Sequence, residues 1–195
     1  MTKERDERPK RKAEIGFTLI EVTVSVVVMM IIAAIAIPSI MQGWNSYRLT
    51  SAADSVAGLL ERTRFEAIHK NGRLSCVAAQ VGGLWVVAID ENGNGQPDPT
   101  EPQVDLPGPA TFVGAGVAPG PASMGPSYAA AIVPNGSLTF DARGTVFPNP
   151  GAPPPYVTYI GIPNQPTYGF RAVTVTAMGQ VKVWQAAANG SWVAQ

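Results

Sequence analysis

A single carboxylate stands near the start of a long apolar segment. The run Gly16-Phe17-Thr18-Leu19-Ile20-Glu21 is followed by residues 22–37, which contain no charge. A charged side chain at the centre of a bilayer costs roughly 2.5 to 3.5 kcal/mol on insertion scales, so an ionisable residue in such a segment indicates a function. A buried carboxylate needs a partner charge. Glu21 is therefore the first candidate functional residue, and ion pairing is the chemistry it could perform.

A second set of oxygen-bearing residues follows a strand-like run. It matches positions 1, 3, 5, 7, 9 and 12 of a calcium-binding loop, where position 7 contributes a backbone carbonyl. Three carboxylates predict a modest affinity, suited to millimolar external calcium. The flanks predict a strand and a proline-broken segment instead of two helices, so an Asn-Gly-rich turn is the alternative and both remain open. The candidate calcium ligands are Asp90, Asn92, Asn94, Gln96, Asp98 and Glu101.

No catalytic constellation is apparent in the sequence. The single histidine, His69, has no serine or cysteine near it in a recognisable arrangement, and there is no phosphate-binding glycine loop. The single cysteine, Cys76, excludes an intramolecular disulfide and is expected to be a small buried hydrophobe. We therefore expect no enzymatic activity, and no cofactor other than the candidate calcium ion.

The segment that carries Glu21 is predicted to be a membrane-spanning helix. Residues 17–41 number about 25, enough to cross the roughly 30 Å hydrocarbon core. Pro38 is expected to kink or loosen this helix near its outer end. The preceding leader, residues 1–16, contains six basic and four acidic side chains, which predicts a cytoplasmic N-terminus with the rest of the chain beyond the inner membrane.

The helix is predicted to continue through residues 42–72 as an amphipathic segment. Asn71-Gly72 is a helix stop, so we expect one helix from about Phe17 to Lys70. Its second half should pack on the globular part through side chains that recur every three or four residues. These are Leu49, Ala52, Ala53, Val56, Leu59, Leu60, Thr63, Ala67 and Ile68.

Residues 73–195 form a β-rich head in this interpretation. Three hairpins are predicted, from strands at 74–81 and 84–90, at 137–141 and 145–147, and at 170–177 and 180–185. Segments 106–126 and 149–155 are rich in proline and glycine and are predicted to be loops. Trp192 is a weak candidate for subunit contact. The predicted fold class is α+β, with a long N-terminal transmembrane helix packed on an antiparallel β-sheet head.

The N-terminal motif resembles the prepilin-peptidase motif of type IV pilins and type II secretion pseudopilins. The resemblance implies that a membrane peptidase cleaves after Gly16 and methylates Phe17. It also implies that Glu21 pairs with the N-terminal amine of a neighbouring subunit, and that Pro38 is the helix-breaking proline of the family. The implied partners are other pilins or pseudopilins, prepilin peptidase, the inner-membrane assembly platform and the lipid bilayer. The implied head location is the periplasm, followed by a pilus or pseudopilus.

The head resembles GspH/FimT-type minor pilins in residues 64–72, 138–144 and 173–183. Unlike many major type IV pilins, this chain has no cysteine pair. The resemblance implies a minor pseudopilin of a type II secretion system. The alternative is a minor type IV pilin that acts in pilus assembly or DNA uptake.

Charge argues against the DNA-uptake alternative. DNA-binding members of the branch carry a Gly-Arg-any-Arg stretch, whereas this chain has Gly179-Gln180-Val181-Lys182 at the matching positions. Arg171 and Lys182 are the candidate DNA contacts. After the leader the chain holds eight basic and ten acidic residues. This number of positive charges is too small for strong binding to phosphates.

Overall fold

The computed structural model describes residues 16–125, 128–130, 136–148, 153–187 and 190–195. The leader up to residue 15 lies outside the described residues, as do Pro126 and residues 149–152 of the two predicted loops. The chain divides into two compact units, Met1–Met41 and Gln42–Gln195. We call the second the head unit and describe each by itself.

The helix α1 extends from Leu19 to His69 and contains Pro38 without ending there. At its start, the Glu21 amide donates to the Thr18 hydroxyl oxygen (3.3 Å), so Thr18 is the N-cap. At its end, Asn71 adopts a φ of 49°, and the Gly72 amide donates to the Ala67 carbonyl. This is a Schellman closure with asparagine in the left-handed position, as the Asn71-Gly72 stop predicted.

The N-terminal part of α1 is an uncovered apolar surface. It includes an 18-residue window that is long and apolar enough to cross a membrane, and no part of that window is buried. The Thr23 and Ser25 hydroxyls donate to the Ile20 and Glu21 carbonyls, so these polar groups are satisfied within the helix. A segment can span a membrane only if its polar groups are hydrogen-bonded within the protein.

The second part of α1 buries the predicted face. Every predicted residue is buried except Ile68, which is 41% exposed, and Ala57 joins the buried set. This part of α1 therefore has one buried face.

The head unit contains two sheets, where the sequence had predicted one. The strands are β1 (Leu74–Val81), β2 (Leu84–Asp90), β3 (Gln103–Asp105), β4 (Thr111–Val113), β5 (Ala129–Ala130), β6 (Ser137–Phe140), β7 (Val146–Phe147), β8 (Tyr156–Gly161), β9 (Phe170–Val175), β10 (Val181–Ala186) and β11 (Val193–Ala194). The first sheet has the order β3-β2-β1-β6-β7 and the second the order β11-β10-β9-β8-β4, all antiparallel. In addition, β5 pairs in parallel with β8. The three predicted hairpins are confirmed to within two residues.

The two faces of the second sheet are both covered. One core combines the buried face of α1 with side chains of both sheets, including Val173 and Val175 of β9. A second core lies on the other face and includes Ala172, Met124 and Trp192. Every residue of β8 and β9 is consequently buried.

The predicted loop at 106–126 was partly wrong. It contains β4 and a short 3-10 helix, Pro121–Met124, and its Phe112, Ala118 and Met124 side chains are buried. Covering the second sheet is the physical reason that this proline- and glycine-rich segment is ordered.

Candidate functional site

The bond between Gly16 and Phe17 precedes the helix. Both residues are exposed and neither has a helical assignment. A Cβ added at Gly16 would meet nothing within 4 Å. Packing among the described residues therefore does not require glycine there.

Glu21 is the third residue of α1, in its first turn. A carboxylate at a helix N-terminus interacts favourably with the helix dipole, typically by about 0.3 to 1 kcal/mol. Within the described part of the chain, the Glu21 carboxylate has no ion-pair partner and is exposed. The dipole interaction is smaller than the roughly 2.5 to 3.5 kcal/mol cost of a charge at the centre of a bilayer.

The 90–101 segment is a hydrogen-bonded turn in this structure. The Asp90 carboxylate accepts from the amides of Gly93, Asn94 and Gly95. The two glycines have φ values of 76° and 77°, so they, and not the asparagines, take the left-handed conformation.

The other carboxylates of this segment are also engaged. Glu101 accepts from the Glu91, Asn92 and Asp98 amides. Asp98 Oδ2 accepts from the side-chain amides of Asn92 and Asn94 at 2.6 and 2.8 Å. Among the described residues, no three His, Cys, Asp or Glu side chains converge as a metal centre requires. The carboxylates of Asp90, Asp98 and Glu101 accept hydrogen bonds in this conformation, and the calcium site remains a prediction.

The two candidate DNA contacts lie apart. Arg171 pairs with Gln185 and Lys182 with Thr174 in the β9–β10 register, so their side chains project from opposite faces of the sheet. Lys182 is exposed, but Arg171 is 2% exposed.

The Arg171 guanidinium is engaged by α1. Its Nε donates to the Thr50 hydroxyl (3.1 Å), Nη2 to the Ser46 hydroxyl (3.0 Å) and Nη1 to the Phe170 carbonyl. Burial lowers the pKa of Arg171, and the negative charge of Asp54 opposes that shift. We correct the prediction for Arg171: it links β9 to α1 and does not offer its charge to a phosphate.

Arg64 is an organising residue that the sequence analysis missed. Its Nε donates to the Gly144 carbonyl (2.9 Å) in the turn between β6 and β7. Gly179, in the β9–β10 turn, lies so close that a Cβ there would collide with the Gly144 oxygen. The Val146 amide donates to the Ala177 carbonyl, joining the same two turns. The end of α1 and both hairpin turns therefore meet at one point.

Two further residues are structural in this chain. Burial raises the pKa of the Cys76 thiol to about 12, while a hydrogen bond with Thr63 opposes that shift. Trp192 is 4% exposed, and its indole nitrogen donates to the Pro119 and Gly120 carbonyls. The suggestion that Trp192 contacts another subunit is therefore corrected, because its ring belongs to the second core.

Two family models match this chain. Residues 52–179 match the family model described as Type II transport protein GspH, and residues 11–37 match the prokaryotic N-terminal methylation motif. No curated protein gives a significant match. Among solved structures, the type IV minor pilin FimU of Pseudomonas aeruginosa aligns with 21% identity and a TM-score of 0.45, over 69% of this chain and 91% of that one. Because the family model covers more than half of its residues, the chain belongs to the GspH family of the type IV pilin and pseudopilin superfamily, with the helix-and-sheet fold predicted for it.

Proposed function

We propose that this protein is a minor pseudopilin subunit of a type II secretion pseudopilus. The observation that carries the proposal is the apolar segment 17–41, which the described residues of its own chain leave exposed and which contains one carboxylate, Glu21. Such a surface is compatible with a bilayer before assembly and with neighbouring helices after it. The head then contacts other minor subunits and takes no part in catalysis.

Processing would occur at the exposed Gly16–Phe17 bond. Prepilin peptidase would cleave after Gly16 and methylate the new amine of Phe17. The match to the N-terminal methylation motif supports this step. Cleavage there removes the charged leader and leaves the apolar segment on the mature protein.

Assembly would use Glu21 as an ion-pair partner. The N-terminal amine of a neighbouring mature subunit is the cation that an isolated carboxylate in an apolar environment lacks. Such a pair fixes the axial register between subunits, because a displacement would leave both charges unpaired. Pro38, which cannot donate an amide hydrogen, would locally loosen the helix during packing.

The proposed topology has the N-terminus in the cytoplasm and the head in the periplasm before assembly. The positive leader supports this orientation. The partners would be other major and minor pseudopilins, prepilin peptidase and the inner-membrane assembly platform.

A deletion in the native host tests which machine the subunit serves. Secretion of exoproteins, surface pili and DNA uptake are measured in parallel in the deletion strain and in a strain complemented with the wild-type gene. The proposal predicts loss of secretion with pili and DNA uptake retained. Loss of pili or DNA uptake alone would assign the protein to a type IV pilus, and no change in any of the three would contradict both assignments.

A further inference from the structure

Two aromatic rings and an arginine stand together on α1 shortly after the apolar segment. Trp44 is 58% exposed and Tyr47 is 68% exposed, with ring centroids 6.5 Å apart. The guanidinium carbon of Arg48 lies 5.6 Å from the Trp44 ring centroid. Tyr47 and Arg48 follow Trp44 by three and four positions, so each lies next to Trp44 on the helix surface. We call Trp44, Tyr47 and Arg48 the aromatic group.

The head unit does not use this face for its own packing. Leu49, one residue after Arg48, is fully buried in the core, and the Ser46 and Thr50 hydroxyls accept from Arg171. The head therefore covers a different side of α1, and it leaves the Trp44 and Tyr47 rings exposed and Arg48 half-buried.

The position of the aromatic group along α1 matches the edge of a membrane. Helical residues rise about 1.5 Å each, so roughly 20 residues cross the hydrocarbon core. A span that begins at Leu19 reaches the far boundary between Pro38 and Met41. The headgroup layers together add about 10 to 15 Å to the core, so each layer is roughly 5 to 7 Å thick. Measured along the helix axis from Met41, Trp44 lies about 4.5 Å farther out, Tyr47 about 9 Å and Arg48 about 10.5 Å. Trp44 therefore falls at headgroup depth, and the Tyr47 and Arg48 side chains, which tilt toward the helix N-terminus, extend back toward that layer.

The chemistry of the group also fits this layer. Tryptophan and tyrosine have apolar rings with polar tips and are enriched where a bilayer meets water. Arg48 is the first basic residue after the leader, since residues 13–47 contain neither lysine nor arginine. A guanidinium at this depth can bind a lipid phosphate through paired hydrogen bonds.

We propose that Trp44, Tyr47 and Arg48 form an interfacial anchor that binds phospholipid headgroups on the head-side leaflet. The anchor fixes the depth of the helix while the subunit resides in the membrane. The proposal rests on the membrane-anchored state of the proposed function. A second copy of this chain is the competing occupant, but the phenol, indole and guanidinium groups favour a hydrated interface over a purely apolar helix contact.

Fluorescence quenching in vesicles tests the anchor. The full chain and its Trp44→Phe variant are reconstituted with phospholipids brominated either near the glycerol end or near the methyl end of the acyl chains. The difference in quenching between the two proteins reports on Trp44. The other tryptophans contribute little to it, because Trp85 and Trp192 are buried in the head and Trp184 is part-buried. We expect the shallow bromines to quench the fluorescence of the wild-type chain more than the deep bromines do. This quenching should be lost in Trp44→Phe.

A flotation assay on the same vesicles tests the membrane-bound state separately from the interfacial anchor. Flotation without any quenching of Trp44 would overturn the anchor alone, and predominant quenching by deep bromines would do the same. Failure to float would overturn both the anchor and the membrane-bound state. Because Cys76 is buried, a Tyr47→Cys variant carries one accessible thiol. A disulfide-linked dimer of that variant, together with absent quenching, would assign this face to a second copy and overturn the anchor.

Discussion

The buried thiol of Cys76 makes a pH-dependent contribution to stability. Its pKa is raised from the usual 9.0 to about 12, mainly by burial. Above pH 9 the unfolded thiol therefore loses its proton while the folded thiol keeps it. Since the unfolded state then binds fewer protons, the free energy of unfolding falls as pH rises. This loss is about 1.4 kcal/mol per pH unit until the folded thiol also ionises.

We predict that this slope distinguishes the wild-type head unit from its Cys76→Ala variant. Urea unfolding measured between pH 7 and pH 10 should give a stability difference that changes above pH 9 in the direction of a weaker wild type. Lysine and tyrosine titrations are common to both proteins and cancel. A difference that is independent of pH would contradict the burial of the thiol.

Arg171 is predicted to stabilise the attachment of α1 to β9. Arg171→Ala removes three hydrogen bonds from a charged donor group, of which two reach Ser46 and Thr50. We expect the free energy of unfolding of the head unit to fall by about 2 kcal/mol. Amide exchange around residues 46–50 should become faster.

The matched control for Arg171 is Lys182→Ala on the neighbouring strand. Lys182 is exposed and projects from the opposite face, so its replacement should change stability by less than about 0.5 kcal/mol. Equal effects of the two substitutions on stability and exchange would contradict the structural role of Arg171.

The junction of three elements near Arg64 depends on Gly179. Its φ is 74°, and an added Cβ would collide with the Gly144 carbonyl and press on Arg64. Gly93 has nearly the same φ, 76°, but a Cβ there would meet nothing within 4 Å. Both alanine variants therefore incur backbone strain of order 1 to 2 kcal/mol, and only Gly179→Ala also incurs a collision.

We predict that Gly179→Ala destabilises the head unit by at least about 1 kcal/mol more than Gly93→Ala in chemical denaturation. The excess reports the close approach of the two hairpin turns. Equal losses of stability for both variants would mean that the turns are not in contact.

The 90–101 segment provides a test of calcium binding. An ion would have to replace the hydrogen bonds that Asn92 and Asn94 donate to Asp98. If the calcium prediction is right, millimolar CaCl₂ raises the melting temperature of the head unit, MgCl₂ does not, and Asp98→Asn abolishes the rise. An unchanged melting temperature in calcium would contradict the calcium site and would mean that the segment acts only as a hydrogen-bonded turn.

The elements that were predicted correctly have strong local signals. The period of α1 and the Asn71-Gly72 stop define the helix, and alternation between Phe170 and Val175 defines β9. Both β8 and β9 are buried on both faces, but β8 lacks alternating valines such as Val173 and Val175 of β9, so no local pattern indicated it. The partners of Arg171 lie 121 and 125 residues away along the chain, a distance over which local sequence gives no signal.

The molecule combines an apolar helical segment that the described residues leave exposed with a head unit of two sheets. The candidate processing residues Gly16 and Phe17 and the candidate assembly residue Glu21 follow from a local motif, and their roles remain predictions. The covering of the second sheet by residues 114–125 could not be predicted from sequence, because it depends on the tertiary packing of Met124 and Trp192 in the second core. The family assignment agrees with both parts of this description.

The measurement that tests the central claim most directly is mass spectrometry of the mature N-terminus, on protein isolated from the membranes of its host. We predict a chain that begins with N-methylated Phe17, and an uncleaved precursor when Gly16 is replaced by a bulky residue. A mature protein that keeps its leader, or one cleaved after the apolar segment, would contradict processing as a pseudopilin.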